Sequence, residues 1–355
     1  MQMYMTIRRS LLMVIAAFLV AGVSLGQGPK KNVGKDVPLP APEHTSPDKP
    51  TSGTKPDGGS QALLSIDVDV VSFDVVVTDQ SGNPISGLSK KDFRVFDNDV
   101  EQTVTNFSPA DSPLTVVILA EFSDTFGFYF DDVVGPAYGF ISSLRPEDWA
   151  ALIAFDIRPE ILTDFTRNKA ELVDGLQRMQ IPAFHETSLY DAVIDTLERM
   201  EKIDGKKAIF LLSTGLDTNI DKHTYGDALK KAESSDTMIY AVSMGQLARL
   251  YFESQQSGME EIRFLQADNV MRSLADVTGG NAWFPRFEGE YPTIYQQVSA
   301  NLHNQYSVGF VPNDRKTNGK LHKLRVEVPP LDLNHSGKPV KVKVRHKKGY
   351  YAPKN

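Results

Sequence analysis

Three short segments carry the side chains best placed for chemistry: Glu121-Phe122-Ser123-Asp124-Thr125, His185-Glu186-Thr187 and Ser213-Thr214-Gly215-Leu216-Asp217. They offer carboxylate and hydroxyl oxygens and one imidazole. The chain has no cysteine. Disulfides, thiolate metal sites, cysteine nucleophiles and a lipid-modified N-terminal cysteine are therefore excluded together. The sequence also lacks a Gly-x-Ser-x-Gly elbow, a His-Glu-x-x-His pair, a phosphate loop and a Gly-x-Gly-x-x-Gly turn after a strand. The histidines are scattered, and His185 is the one beside a candidate segment. The expectation is a binding protein, not an enzyme.

The surrounding elements explain why these segments matter. Leu114 to Ala120 is a continuous apolar run, as expected of a parallel strand buried on both faces, and it ends at Glu121. Residues 207–213 form a second such run, ending in the third segment. Leu189, Ala192, Val193, Thr196, Leu197 and Met200 recur at helical spacing, which predicts a helix over 188–202, directly after Thr187. Further strands are predicted at 149–155, 238–243 and 282–284, with a short edge strand at 161–165. Helices are predicted at 130–144, 168–179, 225–234, 260–278 and 291–302, with Gly279-Gly280 closing the fourth of these as a C-cap. This alternation predicts an α/β fold, a doubly wound, mostly parallel six-stranded sheet flanked by helices. Ligands of such sheets bind beyond the carboxyl ends of the strands, which is where the three segments fall.

The flanks have a different character. Ile66, Val68 and Val70 alternate with Asp67 and Asp69, which places those two carboxylates on a solvent face. Residues 79–84 read as a turn, 92–98 as a strand and turn, and 100–107 as one further strand. Strand patterns return at 306–310, 320–328 and 340–344. Neither flank is long enough for a stable sandwich by itself. Together they predict one smaller all-β sandwich, formed by 63–110 and 304–352, into which the α/β domain of 111–303 is inserted. The lysine-rich stretch 338–348 is expected to be a solvated edge.

On these segments the chain resembles the von Willebrand factor A (vWA) family, whose members carry a metal-ion-dependent adhesion site. The family pattern is Asp-x-Ser-x-Ser after the first strand, a Thr in a second loop and an Asp in a Thr-Asp-Gly-like third loop. Glu121, Ser123 and Thr125 stand at the first motif, Thr187 at the second, and Thr214, followed by Gly215, where the third-loop Asp is expected. The flanks resemble vWA-related proteins of Acidobacteria and other bacteria, in the front segment Gly82-Asn83-Pro84-Ile85-Ser86-Gly87-Leu88 with Asp92-Phe93 and in the closing Lys348-Gly349-Tyr350-Tyr351. The resemblance covers residues 63 to 352. It implies a site for Mg2+, or Mn2+ or Ca2+, built from Glu121, Ser123, Thr125, Thr187 and Thr214, with Asp217 as a nearby replacement carboxylate. Magnesium takes octahedral oxygen ligands, and charge count sets the affinity of such sites. Glu121 is one methylene longer than Asp, and Thr214 removes the second charge, so the site is read as degenerate. An intact site of this kind accepts an acidic side chain of a protein partner.

The remaining readings concern export and partners. Arg8 and Arg9, the apolar run 11–23 and Ser24-Leu25-Gly26 predict a signal peptide over 1–26, cleaved before Gln27. The run is shorter than the roughly 20 residues that span a bilayer. Residues 27–62, rich in Pro, Gly, Ser and Lys, read as a flexible linker. A net charge of -7 argues against a nucleic-acid partner. The function expected is an exported, periplasmic or extracellular, adhesion-type module for protein partners at the cell envelope. A metal-independent scaffold component of an envelope assembly is the alternative, ahead of an uncharacterised hydrolase.

Overall fold

The computed structural model describes residues 70–353, except 111, 124–129, 180–183, 185, 220–221, 245–257, 314–317 and 331–340. The expected signal peptide and linker, Asp67, Asp69, Asp124, Thr125 and His185 lie outside the described residues. Among the described residues no helix is long and apolar enough to cross a membrane.

The central element is β5 (Leu114–Glu121), whose residues are all buried. Its apolar run carries no polar face because it has neighbours and covering helices on every side. It pairs in parallel with β6 (Trp149–Phe155) and β8 (Lys206–Ser213). Outside them lie β9 (Met238–Ser243), β10 (Asn281–Trp283) and the antiparallel edge strand β7 (Pro159–Thr166), in the order β10-β9-β8-β5-β6-β7. Register aligns Glu121 with Phe155 and Ser213 with Ser243, so the parallel strands end along one edge.

Among the described residues six helices cover the sheet. On one face Ile118 and Leu152 pack with α1 (Phe130–Ser143), α2 (Lys169–Gln177) and α6 (Tyr291–His303). On the other, Val117 and Leu119 pack with α3 (Leu189–Met200), α4 (Tyr225–Ser234) and α5 (Gly258–Thr278). Alternate residues of one strand thus feed two cores, the period-two consequence of the pleat. α5 closes as expected: Gly279, at φ +84°, lets Gly280 N–H reach Ala275 O at 2.9 Å. The expected doubly wound α/β fold is the one observed.

The flanks build two antiparallel four-stranded sheets, β13-β1-β11-β4 and β14-β12-β2-β3. The first contains β1 (Val71–Thr78), β4 (Val104–Ser108), β11 (Gln305–Phe310) and β13 (Lys343–His346). The second contains β2 (Arg94–Asp97), β3 (Val100–Gln102), β12 (Leu321–Glu327) and β14 (Gly349–Tyr351). Val75, Val95, Tyr306, Val326 and Tyr350 share one core between them. β1 pairs on both sides with strands from the far end of the chain.

Two expectations are corrected. Residues 100–107 are not one strand: β3 belongs to one sheet and β4 to the other, so the chain must bend between them. The lysine-rich stretch is not simply a solvated edge. The chain changes sheets between β13 and β14, and Lys347 at that crossing is 6% exposed. Its Nζ donates to Ser235 O at 2.7 Å.

Candidate functional site

Glu121 closes β5 and is 3% exposed, so it is not the solvent-facing carboxylate a strand end would allow. Its extra methylene carries the carboxylate sideways to the end of β8. There it accepts from Ser213 Oγ at 2.7 Å, Thr214 N at 2.8 Å and Thr214 Oγ1 at 3.0 Å. Ser123 Oγ donates at 3.2 Å. Burial pushes the Glu121 carboxyl above its ordinary range, and these donors pull against that shift. The loop after β8 is wound tightly around the same atoms. Ser213 Oγ accepts from Gly215 N at 2.9 Å, and Thr214 Oγ1 from Leu216 N at 3.2 Å. Gly215 sits at φ +79°, where an added Cβ would lie 2.6 Å from Ala267 O on α5. A side chain is thus barred by backbone conformation and by space.

Thr187 and Asp217 belong to a second group. Thr187 N donates to Thr218 Oγ1 at 2.9 Å, and Thr187 O accepts from Thr218 N and Asn219 N. Asn219 Nδ2 donates to Ser188 Oγ at 2.9 Å. Asp217 Oδ2 accepts from Tyr190 N at 2.9 Å, satisfying one free N–H at the start of α3. Its carboxyl is pushed up to about 6, by burial first and then by the like charges of Asp191 and Glu121. Thr187 Oγ1 and Asp217 Oδ1 are buried without a hydrogen-bond partner.

Of the residues expected at the site, the fold therefore joins Glu121, Ser123 and Thr214 in one network and stitches Thr187 and Asp217 into a neighbouring seam. Ser213 lay within the third segment but was given no role, and Thr218 and Asn219, which follow directly on Asp217, were not singled out from the sequence. The Asp191–His223 pair was also missed: Asp191 Oδ1 lies 2.7 Å from His223 Nδ1. The two are far apart in sequence, and no short motif links them.

The donor set does not fit the family's cation site. Its first carboxylate is turned inward onto four donor groups, and its second is absent. Asp217 is spent on the start of α3. Among the described residues no three His, Asp or Glu side chains group as an ion would require. The partnerless Thr187 Oγ1 and Asp217 Oδ1 point the other way. Yet Thr237 Oγ1, Asn301 Oδ1 and Gln305 Oε1, away from this edge, are equally without partners. Such atoms are therefore not peculiar to the site.

Two clefts flank the β6–β7 turn at the same edge. One, of about 500 Å³, lies between that turn, α3 and the segment leading into α4. The other, of about 220 Å³, lies beside Phe122 and β7.

No protein-family profile and no curated protein matches the chain. Solved structures resemble it at low identity. The vWF domain of the type V pili tip protein Mfa5 from Porphyromonas gingivalis is 12% identical, with a TM-score of 0.40, over 53% of this chain and 94% of that one. A von Willebrand factor type A protein from Catenulispora acidiphila is 9% identical, with a TM-score of 0.42, over 81% of this chain and 74% of that one. BatB from Bacteroides thetaiotaomicron is 13% identical, with a TM-score of 0.37, over 53% of this chain and 98% of that one.

Proposed function

We propose that this chain is an exported protein-interaction module of the vWA type, related to the bacterial proteins its flanks resemble. It engages its partner at the carboxyl edge of the six-stranded sheet without a bound ion. The observation that carries the ion-free reading is the Glu121 carboxylate, held by four donor groups where the family pattern places an ion-facing Asp. Hydrogen bonds to a carboxylate are of the stronger, charge-assisted kind. Here they tie the loops after β5 and β8 together, as an ion would.

The test of this reading is calorimetric titration with Mg2+ and Mn2+, beside melting curves at millimolar ion. No heat and no shift are expected. Partner capture from the cell-envelope fraction is expected to persist in chelator, and chelator-sensitive capture would sink the ion-free reading. Export rests on Arg8, Arg9 and the apolar run after them. Mass spectrometry should find a mature N-terminus at Gln27; an intact Met1 would refute cleavage.

A second reading keeps the cation. It is favoured by the partnerless buried oxygens of Thr187 and Asp217. Those residues, with Ser123, would hold Mg2+, Mn2+ or Ca2+ largely through water, and the ion would supply an open position for a partner's carboxylate. One committed carboxylate and one engaged on α3 leave it too little charge for tight binding.

A further inference from the structure

The turn leading into β12 carries Asn318-Gly319, a dipeptide that occurs once in the chain. Asn318 is exposed. Its side chain folds forward over the turn, so that Oδ1 accepts from Lys320 N at 2.8 Å. Gly319, at φ +65°, has no Cβ to crowd its own nitrogen. The Gly319 N–H donates to Pro353 O at 3.3 Å, just beyond the usual range, so it is weakly held.

A side-chain amide, an uncrowded nitrogen one residue on and a donor on the amide oxygen are the parts of a self-cyclisation. Attack of the Gly319 nitrogen on Asn318 Cγ closes a succinimide ring. Charge then develops on Oδ1, and the Lys320 N–H already points at that atom. Other asparagines lack one part or another. Asn83 precedes Pro84, whose ring nitrogen has no proton to lose. Asn301 is buried. Asn98, Asn106, Asn168 and Asn313 precede Asp, Phe, Lys and Asp, whose side chains crowd the attacking nitrogen.

We propose that Asn318 is a site of spontaneous covalent modification, where the chain, assisted by the Lys320 N–H, converts its own amide to a carboxylate. The Gly319 nitrogen loses its proton to water or hydroxide and bonds to Asn318 Cγ. The Cγ–Nδ2 bond breaks, and ammonia leaves. Water then opens the ring on either side. Breaking the new N–Cγ bond leaves aspartate in the ordinary backbone. Breaking the bond to the Asn318 backbone carbonyl carbon leaves isoaspartate, with the chain running through Cγ. One water is consumed and one ammonia released, with no change of oxidation state. The new carboxylate stands beside Lys320, and isoaspartate adds a methylene to the backbone. That length enters where Lys320 O accepts from Ala352 N at 2.9 Å and Leu321 pairs with Tyr351. The short strand β14 is therefore the element it disturbs.

The test is peptide mapping by mass spectrometry of full-length protein held at neutral to mildly alkaline pH, with released ammonia assayed in parallel. Asn318 is expected to convert ahead of Asn98, Asn168 and Asn313, to a mixture of aspartate and isoaspartate. The rate should rise about tenfold per pH unit, because the attacking nitrogen must first lose its proton. Gly319→Ala should slow conversion severalfold by crowding that nitrogen. Lys320→Pro, which removes the donor on Oδ1, should also slow it. Melting curves check that each variant folds. An Asn318 amide that persists while urea-unfolded protein converts overturns the proposal. So does aspartate without isoaspartate, the mark of direct hydrolysis, or an unaltered rate in folded Lys320→Pro.

Discussion

The two ends of the six-stranded sheet treat charge in opposite ways. At the amino end, charged groups are buried and matched. Lys206 Nζ donates to Pro109 O and Ala110 O at 2.8 Å, and Lys207 pairs with Asp236 at 2.8 Å. Asp148 Oδ1 accepts from Leu114 N at 3.2 Å, and its Oδ2 from Arg145 N at 2.7 Å; His303 Nε2 lies 2.7 Å from Oδ2. The sandwich adds Lys347, on Ser235 O, and Asp74, which accepts from Ser307 Oγ. At the carboxyl end, Glu121 is buried and matched in this manner by Ser213 and Thr214, and Asp268 on α5 is buried and accepts from Ser243 Oγ at 3.5 Å. Arg158 and Lys222 are exposed and form no ion pair among the described residues, and Ile161, Phe184, Ile262 and Leu265 present apolar surface. One end invests its polar groups in holding two layers together. The other exposes cations and apolar side chains among the described residues, as the proposed role at this edge requires.

The sharpest way to break this comparison is to delete one buried carboxylate from each end. Asp148→Ala strands two backbone N–H groups and His303, and should cost about 3–5 kcal/mol. Glu121→Ala should cost less, about 1–3 kcal/mol, because burial holds this carboxyl above its ordinary range, so its removal also relieves desolvation. Urea unfolding of both variants measures the difference. A larger loss at Glu121 would make the carboxyl end the structural one.

Acid provides the next test. Asp74, in β1, is pushed up to about 6, mainly by burial and against the help of Ser307, Lys206 and Lys207. A raised carboxyl stabilises the fold fully below its unfolded value near 3.8, and that contribution is lost as pH rises through 6. A shift of about two pH units corresponds to about 3 kcal/mol. Asp217, at the other end, shifts in the same direction to about 6 but is less deeply buried, so its share should be smaller. Asp148 opposes them. Burial works to raise it, but His303 and the backbone N–H groups leave it depressed, so its contribution is lost as pH falls. Going from pH 4.5 to 7, Asp74→Asn should therefore lose less unfolding free energy, or gain more, than wild type. Asp217→Asn should move that change in the same direction by a smaller amount. The reverse ranking would place the dominant buried acid at the carboxyl end.

What was legible in the sequence follows the same division. The apolar run 114–120 and the helical spacing of 189–200 disclosed the sheet and α3, because a continuous core imposes long, regular patterns. Glu121, Ser123 and Thr214 were legible as a group because each closely follows a strand end. The destination of the Glu121 carboxylate was not, since one methylene decides between facing an opening and reaching β8. Lys347 looked like its exposed neighbour Lys343, since its burial depends on a crossing between sheets that local pattern cannot encode. The exposure of Arg158 and Lys222 without an ion pair among the described residues was invisible for a related reason. An unpaired charge is defined by what the fold fails to bring near it.

The smallest effect concerns the inward turn of Glu121 itself. Glu121→Asp shortens the side chain, and the reach to Ser213 and Thr214 is lost; a cost of about 1 kcal/mol follows from the hydrogen bonds weakened. Adding Thr214→Asp places a second carboxylate beside it and restores the family's charge count. Two carboxylates at one buried edge repel each other, so this double variant should be less stable than either single one in chelator. It should then respond to Mg2+. At an ion concentration about tenfold above Kd the recovery is about 1.4 kcal/mol, readable as a rise in melting temperature, while wild type stays unmoved. If wild type rises as much as the double variant, then Glu121 has not taken the ion's place. The two ends of the sheet would then differ by a metal instead of by the way side chains pair.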